Sequence, residues 1–137
     1  MGCPDFSLPA LRALTDDPRF DVVGVFSLPD KPKGRGQQSA GTPVKEEALR
    51  LGIPVFTPAS FRKDPATVQS LRDFAPDFLV VIAYGLILPQ NVLDIPRIAP
   101  INVHASLLPR YRGPAPIHFA LLHGEEVTGN TIMVMNA

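Results

Sequence analysis

The chain has one cysteine, Cys3, no tryptophan and three histidines in 137 residues. A single thiol cannot close an intrachain disulfide, so a disulfide framework is excluded and a reducing compartment is the default reading. The histidines at 104, 118 and 123 have no ligand-like spacing with Cys3, which leaves a Cys/His zinc site unsupported and no metal expected. Net charge is also missing, since 13 basic and 13 acidic residues cancel, and nothing global draws the protein to a polyanion. The apolar run from Phe78 to Leu88 falls short of the ~20 residues a membrane helix needs, and the first residues do not read as a secretory leader.

What is present reads as a globular α/β domain. Apolar residues make up 45% and charged residues 19% of the chain, enough for one core at this length. Sixteen prolines exceed the usual ~5%, and most punctuate element boundaries. Charge is balanced overall but not locally. Lys31, Lys33, Arg35 and Lys45 occupy a stretch with no acidic residue, as do Arg97, Arg110, Arg112 and the histidines between Ile95 and Gly124. Each zone could meet phosphate or could simply be solvated surface.

Helical and extended periods alternate along the chain. Helices are expected over Pro4–Leu14, over Thr42–Leu51 with Thr42 as cap and Gly52 as stop, over Asp64–Phe74 with Asp64 as cap, and over Pro114–His123, with a short one over Leu88–Leu93. Strands are expected over Val22–Ser27, Ile53–Phe56, Phe78–Ala83 (buried on both faces), Ile98–His104 and Thr131–Met135. Residues 28–41 read as a mobile loop. Such alternation predicts βαβ units in a doubly wound, mostly parallel sheet. Ligands of such sheets bind beyond the carboxyl ends of the strands, where the loops after Ser27, Ala83 and His104 fall.

The loop after His104 carries the strongest chemical signal. On a strand Asn102 and His104 share one face, at its carboxyl end. An amide can donate to a developing oxyanion, and an imidazole can donate to it or carry a proton, so the pair suits chemistry on a carbonyl. The same pair could instead cap loop amides. His118 and His123 read as ordinary helix residues. Gly34-Arg35-Gly36 lacks the third glycine of a dinucleotide fingerprint. Gly85 permits close approach of a ligand after the Phe78–Ala83 strand, and Tyr84 beside it reads equally well as a core residue or a ligand contact.

Asn-x-His-x-Ser-Leu-Leu-Pro-x-aromatic-x-Gly, over residues 102–113, resembles the signature of the enzymes that use 10-formyltetrahydrofolate as a formyl donor. The resemblance implies their Rossmann-like fold, with Asn102 and His104 catalytic and Ser106, Leu107, Leu108 and Pro109 against the folate. Ala-Tyr-Gly-Leu-Ile-Leu-Pro, from Ala83, resembles the family's pterin pocket, which implies Leu86, Ile87 and Leu88 as lining residues. Pro-Asp-Lys-Pro-x-Gly-Arg-Gly, from Pro29, resembles the loop of those members that formylate methionyl-tRNA in translation initiation. This implies initiator methionyl-tRNA as partner, gripped by Arg35 with Lys31 and Lys33 in support.

The resemblance covers nearly the whole of residues 1–137 and bears on their ends. It implies a single partial catalytic domain without the family's first strand, its catalytic Asp or its C-terminal tRNA-binding domain. Little or no activity is then expected of residues 1–137 alone. It also implies a monomer with no membrane association, in the cytoplasm or in an organelle with bacterial-type initiation. Three other readings stay open: a sugar or small-amine formyltransferase, a folate-dependent formyl hydrolase or dehydrogenase domain, and a non-catalytic ligand- or RNA-binding α/β module.

Overall fold

The structure is a computed structural model; it describes residues 1–33 and 38–136. A short 3₁₀ turn, Asp5–Ser7, leads into α1, Leu8–Asp16. There follow β1 (Val25–Phe26), β2 (Lys31–Lys33), β3 (Gln38–Ala40), α2 (Pro43–Arg50), β4 (Val55–Phe56) and α3 (Pro65–Asp73). The remainder is β5 (Phe78–Val81), α4 (Gln90–Leu93), β6 (Ala99–His104), α5 (Pro116–Leu122) and β7 (Thr131–Val134).

Local chemistry sets the helix starts. Thr42 accepts from the Lys45 backbone N–H at 3.2 Å and Asp64 from that of Thr67 at 2.9 Å, and each cap is followed by a proline at the first helical position. These are the two caps read from the sequence. The cap hydrogen bonds from Thr67 also hold the Asp64 carboxyl below the ordinary carboxylate range.

Strand pairing gives the parallel architecture. β1 pairs with β4 in parallel, Val25 opposite Val55, and β5 pairs with β6 in parallel, Val81 opposite Asn102. β7 runs antiparallel to β6, with Thr131 opposite His104. Met1 and Gly2 lie between the two parallel pairs. The Met1 amine donates to the Val80 carbonyl, Ile82 N–H to Met1, and Gly2 N–H to Phe26. Beneath them is a cavity of about 470 Å³ lined from one side by Val22–Phe26 and from the other by Phe78–Val80.

Successive residues of β1 point to opposite faces, and each face has its own core. Val25 packs with Leu11, Val44 and Ala48 of α1 and α2. Phe26 packs with Val68 and Leu71 of α3, Val92 and Leu93 of α4, Phe61, Leu79 and Val81. Helices thus cover both faces of a mostly parallel sheet, the doubly wound α/β class.

Three expectations are corrected. Within the stretch read as a loop, residues 31–33 and 38–40 form two antiparallel strands in which Lys31 pairs with Ala40 and Lys33 with Gln38. Both strands are polar and one contains proline, so no apolar alternation marked them. Arg35 lies outside the described residues. β5, expected to be buried on both faces, buries Leu79 and Val81 but leaves Phe78 41% exposed. The helix expected over Pro4–Leu14 begins as 3₁₀ and becomes α only at Leu8.

Glu47 clamps α1 to α2. It accepts from Arg12 at 2.8 Å and from two nitrogens of Arg50 at 2.9 and 3.0 Å. The Arg50 hydrogen bonds, then that of Arg12, hold its carboxyl down at about 2. A carboxylate lowered by folding stabilises the fold above its unfolded pKa, and that contribution is lost as pH falls through its folded value. Glu47→Gln is therefore expected to flatten the fall in stability between pH 4.5 and about 2. Urea unfolding at several pH values checks this, and parallel curves for the two proteins would refute it.

Candidate active site

The carboxyl ends of β1, β5 and β6 share one edge of the sheet, and the three loops singled out in the sequence leave from it. The first two meet: a Cβ built on Gly85 would lie 3.5 Å from the Leu28 side chain. Cys3 joins them, its thiol donating to the Tyr84 carbonyl at 3.1 Å and accepting from Ser27. Cys3, Leu28, Lys31 and Thr42 are among the residues that line a cleft of about 270 Å³ beside this point.

β6 supplies the amide and the imidazole. Asn102 and His104 lie on the face they share with Val81 of β5 and Met133 and Thr131 of β7. Both are half-buried. Among the described residues Asn102 makes no side-chain hydrogen bond, so its carboxamide donors are uncommitted. His104 Nε2 lies 2.9 Å from the Tyr111 carbonyl oxygen. A carbonyl only accepts, so Nε2 carries a proton, and the neutral ring is left with Nδ1 as its basic atom.

The loop after β6 is built from within. Ser106 is fully buried and donates to the Arg110 carbonyl at 2.7 Å. Thr131 of β7 donates to the Ser106 carbonyl at 2.7 Å and accepts from the Leu108 N–H at 3.1 Å. Ser106 thus shapes the loop, with its hydroxyl already engaged. Leu107 is half-exposed against Gly129, and Pro109, which follows a cis bond from Leu108, lies at the surface. Thr131 was not picked out in the sequence, because nothing in a strand's first residue signals a loop 25 residues earlier.

The residues after β5 divide. Ile87 is 85% exposed and Leu86 half-buried, so both are available to a ligand, whereas Leu88 belongs to the core with Val92 and Leu93. Tyr84 is a core residue, packed on Phe61 at 6.2 Å between ring centroids. Burial pushes its phenol up, and its hydroxyl has no hydrogen-bond partner among the described residues.

The basic side chains have distinct surroundings. Lys31 is exposed on β2 at the cleft. Lys45 is tied to Asp30 at 2.7 Å beneath it. Arg110 is engaged by Glu125 and lies over the Tyr111 ring, whereas Arg112 is exposed. His123, read as an ordinary helix residue, stacks on Tyr111 with centroids 5.5 Å apart. Among the described residues, no group of three or more His, Cys, Asp or Glu could hold a metal ion, and no helix is long and apolar enough to cross a membrane.

The chain is thus a doubly wound α/β domain with an amide and an imidazole on one face of β6 at its carboxyl end. Residues 5–137 match the formyl transferase family, and the chain belongs to it. Over 136 residues it is 52% identical to a methionyl-tRNA formyltransferase of Clostridium novyi (strain NT), covering 99% of this chain and 43% of that protein. It is 52% identical to those of Thermosynechococcus vestitus and Roseiflexus castenholzii, covering 41% and 44% of their lengths. A more distant likeness, to a 4-N formyltransferase from Francisella tularensis, has a TM-score of 0.44 and 18% identity over 84% of this chain and 51% of that one. The chain thus spans less than half the length of these curated relatives.

Proposed function

We propose that these residues form the formyl-transferring part of a methionyl-tRNA formyltransferase. The observation that carries the reading is the uncommitted Asn102 carboxamide on the same strand face as His104, whose Nε2 faces the Tyr111 carbonyl, in a chain of the formyl transferase family. The formyl donor is 10-formyltetrahydrofolate, and the acceptor is the amine of methionine on initiator tRNA. The amine nitrogen bonds to the formyl carbon, and Asn102 donates to the resulting oxyanion. His104 Nδ1 takes the proton released by the amine and returns it to N10 as the carbon–N10 bond breaks. One C–N bond forms, one breaks, and the proton ends on the folate.

Leu86, Ile87, Leu107 and Pro109 offer apolar surface for the pterin, while Ser106 and Leu88 hold that surface in place. Lys31, Lys33 and Arg35 serve the tRNA backbone, since cations gripping phosphates give affinity without reading sequence. These substrates place the reaction where bacterial-type translation initiates.

The test replaces the matching segment of the Clostridium novyi relative with residues 1–137. The chimera is expected to formylate methionyl-tRNA from 10-formyltetrahydrofolate. Charge reversal at Lys31, Lys33 and Arg35 is expected to weaken use of tRNA at least tenfold and to make the remaining use less salt-dependent, while folate binding stays unchanged. A chimera that formylates small amines but not methionyl-tRNA would move the assignment to a small-amine transferase. One that binds folate and releases formate would move it to a hydrolase.

A further inference from the structure

Tyr111 is the one residue of the site loop whose backbone runs against its side chain. Its φ is 54°, a left-handed conformation that bulky L-residues rarely adopt. Among the described residues, its carbonyl meets one hydrogen-bond donor, Nε2 of His104 at 2.9 Å. An unfavourable conformation persists only where the surroundings over-determine it.

Here the surroundings are specific. The Tyr111 hydroxyl donates to Glu125, and His123 Nδ1 lies 3.2 Å from the same hydroxyl. The ring is stacked on His123, with 28° between planes, and the Arg110 guanidinium lies 5.5 Å from its centroid on the cation–π side. Arg110 in turn forks onto both oxygens of Glu125. Glu125 is fixed by its own backbone, whose N–H donates to the Ala120 carbonyl at 3.0 Å. The hydrogen bond from Tyr111 lowers the Glu125 carboxyl and raises the phenol, which keeps the pair as carboxylate and hydroxyl across the neutral range.

We infer that Tyr111, locked by Glu125, is a positioning residue whose main-chain carbonyl fixes the orientation of the His104 ring and keeps its Nε2 protonated. The inference rests on the reading of His104 as the proton carrier but is testable without it. A ring held in this way presents Nδ1 as its basic atom each time the neutral form returns. A ring free to flip or change tautomer would present the wrong nitrogen in part of the population, the loss that a base–orienter hydrogen bond prevents in other acid–base sites. The sequence conceals this device, because the atom that acts is a backbone oxygen. The side chain serves by holding the backbone in a conformation it would otherwise leave.

The test is nitrogen NMR on the 137-residue chain with labelled histidine, at a pH where the ring is neutral. His104 is expected to show a protonated Nε2 whose hydrogen exchanges slowly enough to be seen. Tyr111→Phe, which deletes only the hydroxyl, and Glu125→Gln are each expected to speed that exchange at least tenfold with the circular dichroism unchanged. Glu125→Asp should recover part of the protection. In the chimera, Tyr111→Phe should lower kcat about tenfold with KM for the folate unaltered. A proton on Nδ1 in the unsubstituted chain, or equal protection in all variants, overturns the inference whatever the assay shows. Intact NMR behaviour together with an active His104→Ala chimera would instead overturn the assignment of His104 and leave the positioning intact.

Discussion

Asn102→Ala in the chimera is expected to lower formyl transfer by about 10²–10³-fold while leaving folate affinity within a factor of two. The separation follows from where the carboxamide acts. Its donors are uncommitted in the resting structure, so they are free for charge that appears only in the transition state, and such interactions change kcat rather than ground-state binding. His104→Ala is expected to cost about 10²–10⁴-fold, and the double substitution little more than the larger single loss, because the two groups act on one intermediate. Single-turnover transfer to methionyl-tRNA, with folate affinity measured separately, checks this. Retained transfer by Asn102→Ala would remove Asn102 from the chemistry.

Much of this site was legible in the sequence because the strand period is short and strict. Two polar residues at i and i+2 ending an apolar run must share a face, and the register of β6 with β5 and β7 places them as expected. The helix boundaries at Thr42 and Asp64 were legible for a similar reason: a cap is a contact between residues three apart, with both partners visible in the local sequence.

What stayed hidden depends on contacts distant in the chain or on backbone geometry. Nothing in its composition sets the direction of β7, and a polar strand pair with proline in one strand has no alternation to find. The neighbouring Ile87 and Leu88 are both apolar, yet one is 85% exposed and the other 6%, a difference that alternation about an unknown backbone cannot assign. Among the described residues the partner of His104 is the carbonyl of a residue with positive φ, which no side-chain pattern marks. Glu125 reaches the site through Tyr111 and Arg110, with α5 between it and them in the chain.

Phe26→Ala is expected to have the largest effect on stability, about 3–5 kcal/mol. The ring is 2% exposed, stacked on Phe56 at 4.9 Å and packed on Phe61 at 6.1 Å, so its removal strips two aromatic side chains of a contact. Its backbone matters as much. β1 is two residues long, and the Phe26 carbonyl accepts the Gly2 N–H, one of the bonds by which Met1 and Gly2 join β1 to β5 above the 470 Å³ cavity. A strand this short, beside open space, has little pairing to hold it once its side chain is gone. Domains of this size carry only about 5–15 kcal/mol, so a loss of this size should leave the variant substantially unfolded at 37 °C. Ile132→Ala, at a side chain 73% exposed on β7, should cost within about 0.5 kcal/mol and serves as the comparison. Urea unfolding followed by circular dichroism distinguishes the two. Equal midpoints would mean that Phe26 is not the keystone of its face and that the Val68–Leu93 cluster holds the sheet without it.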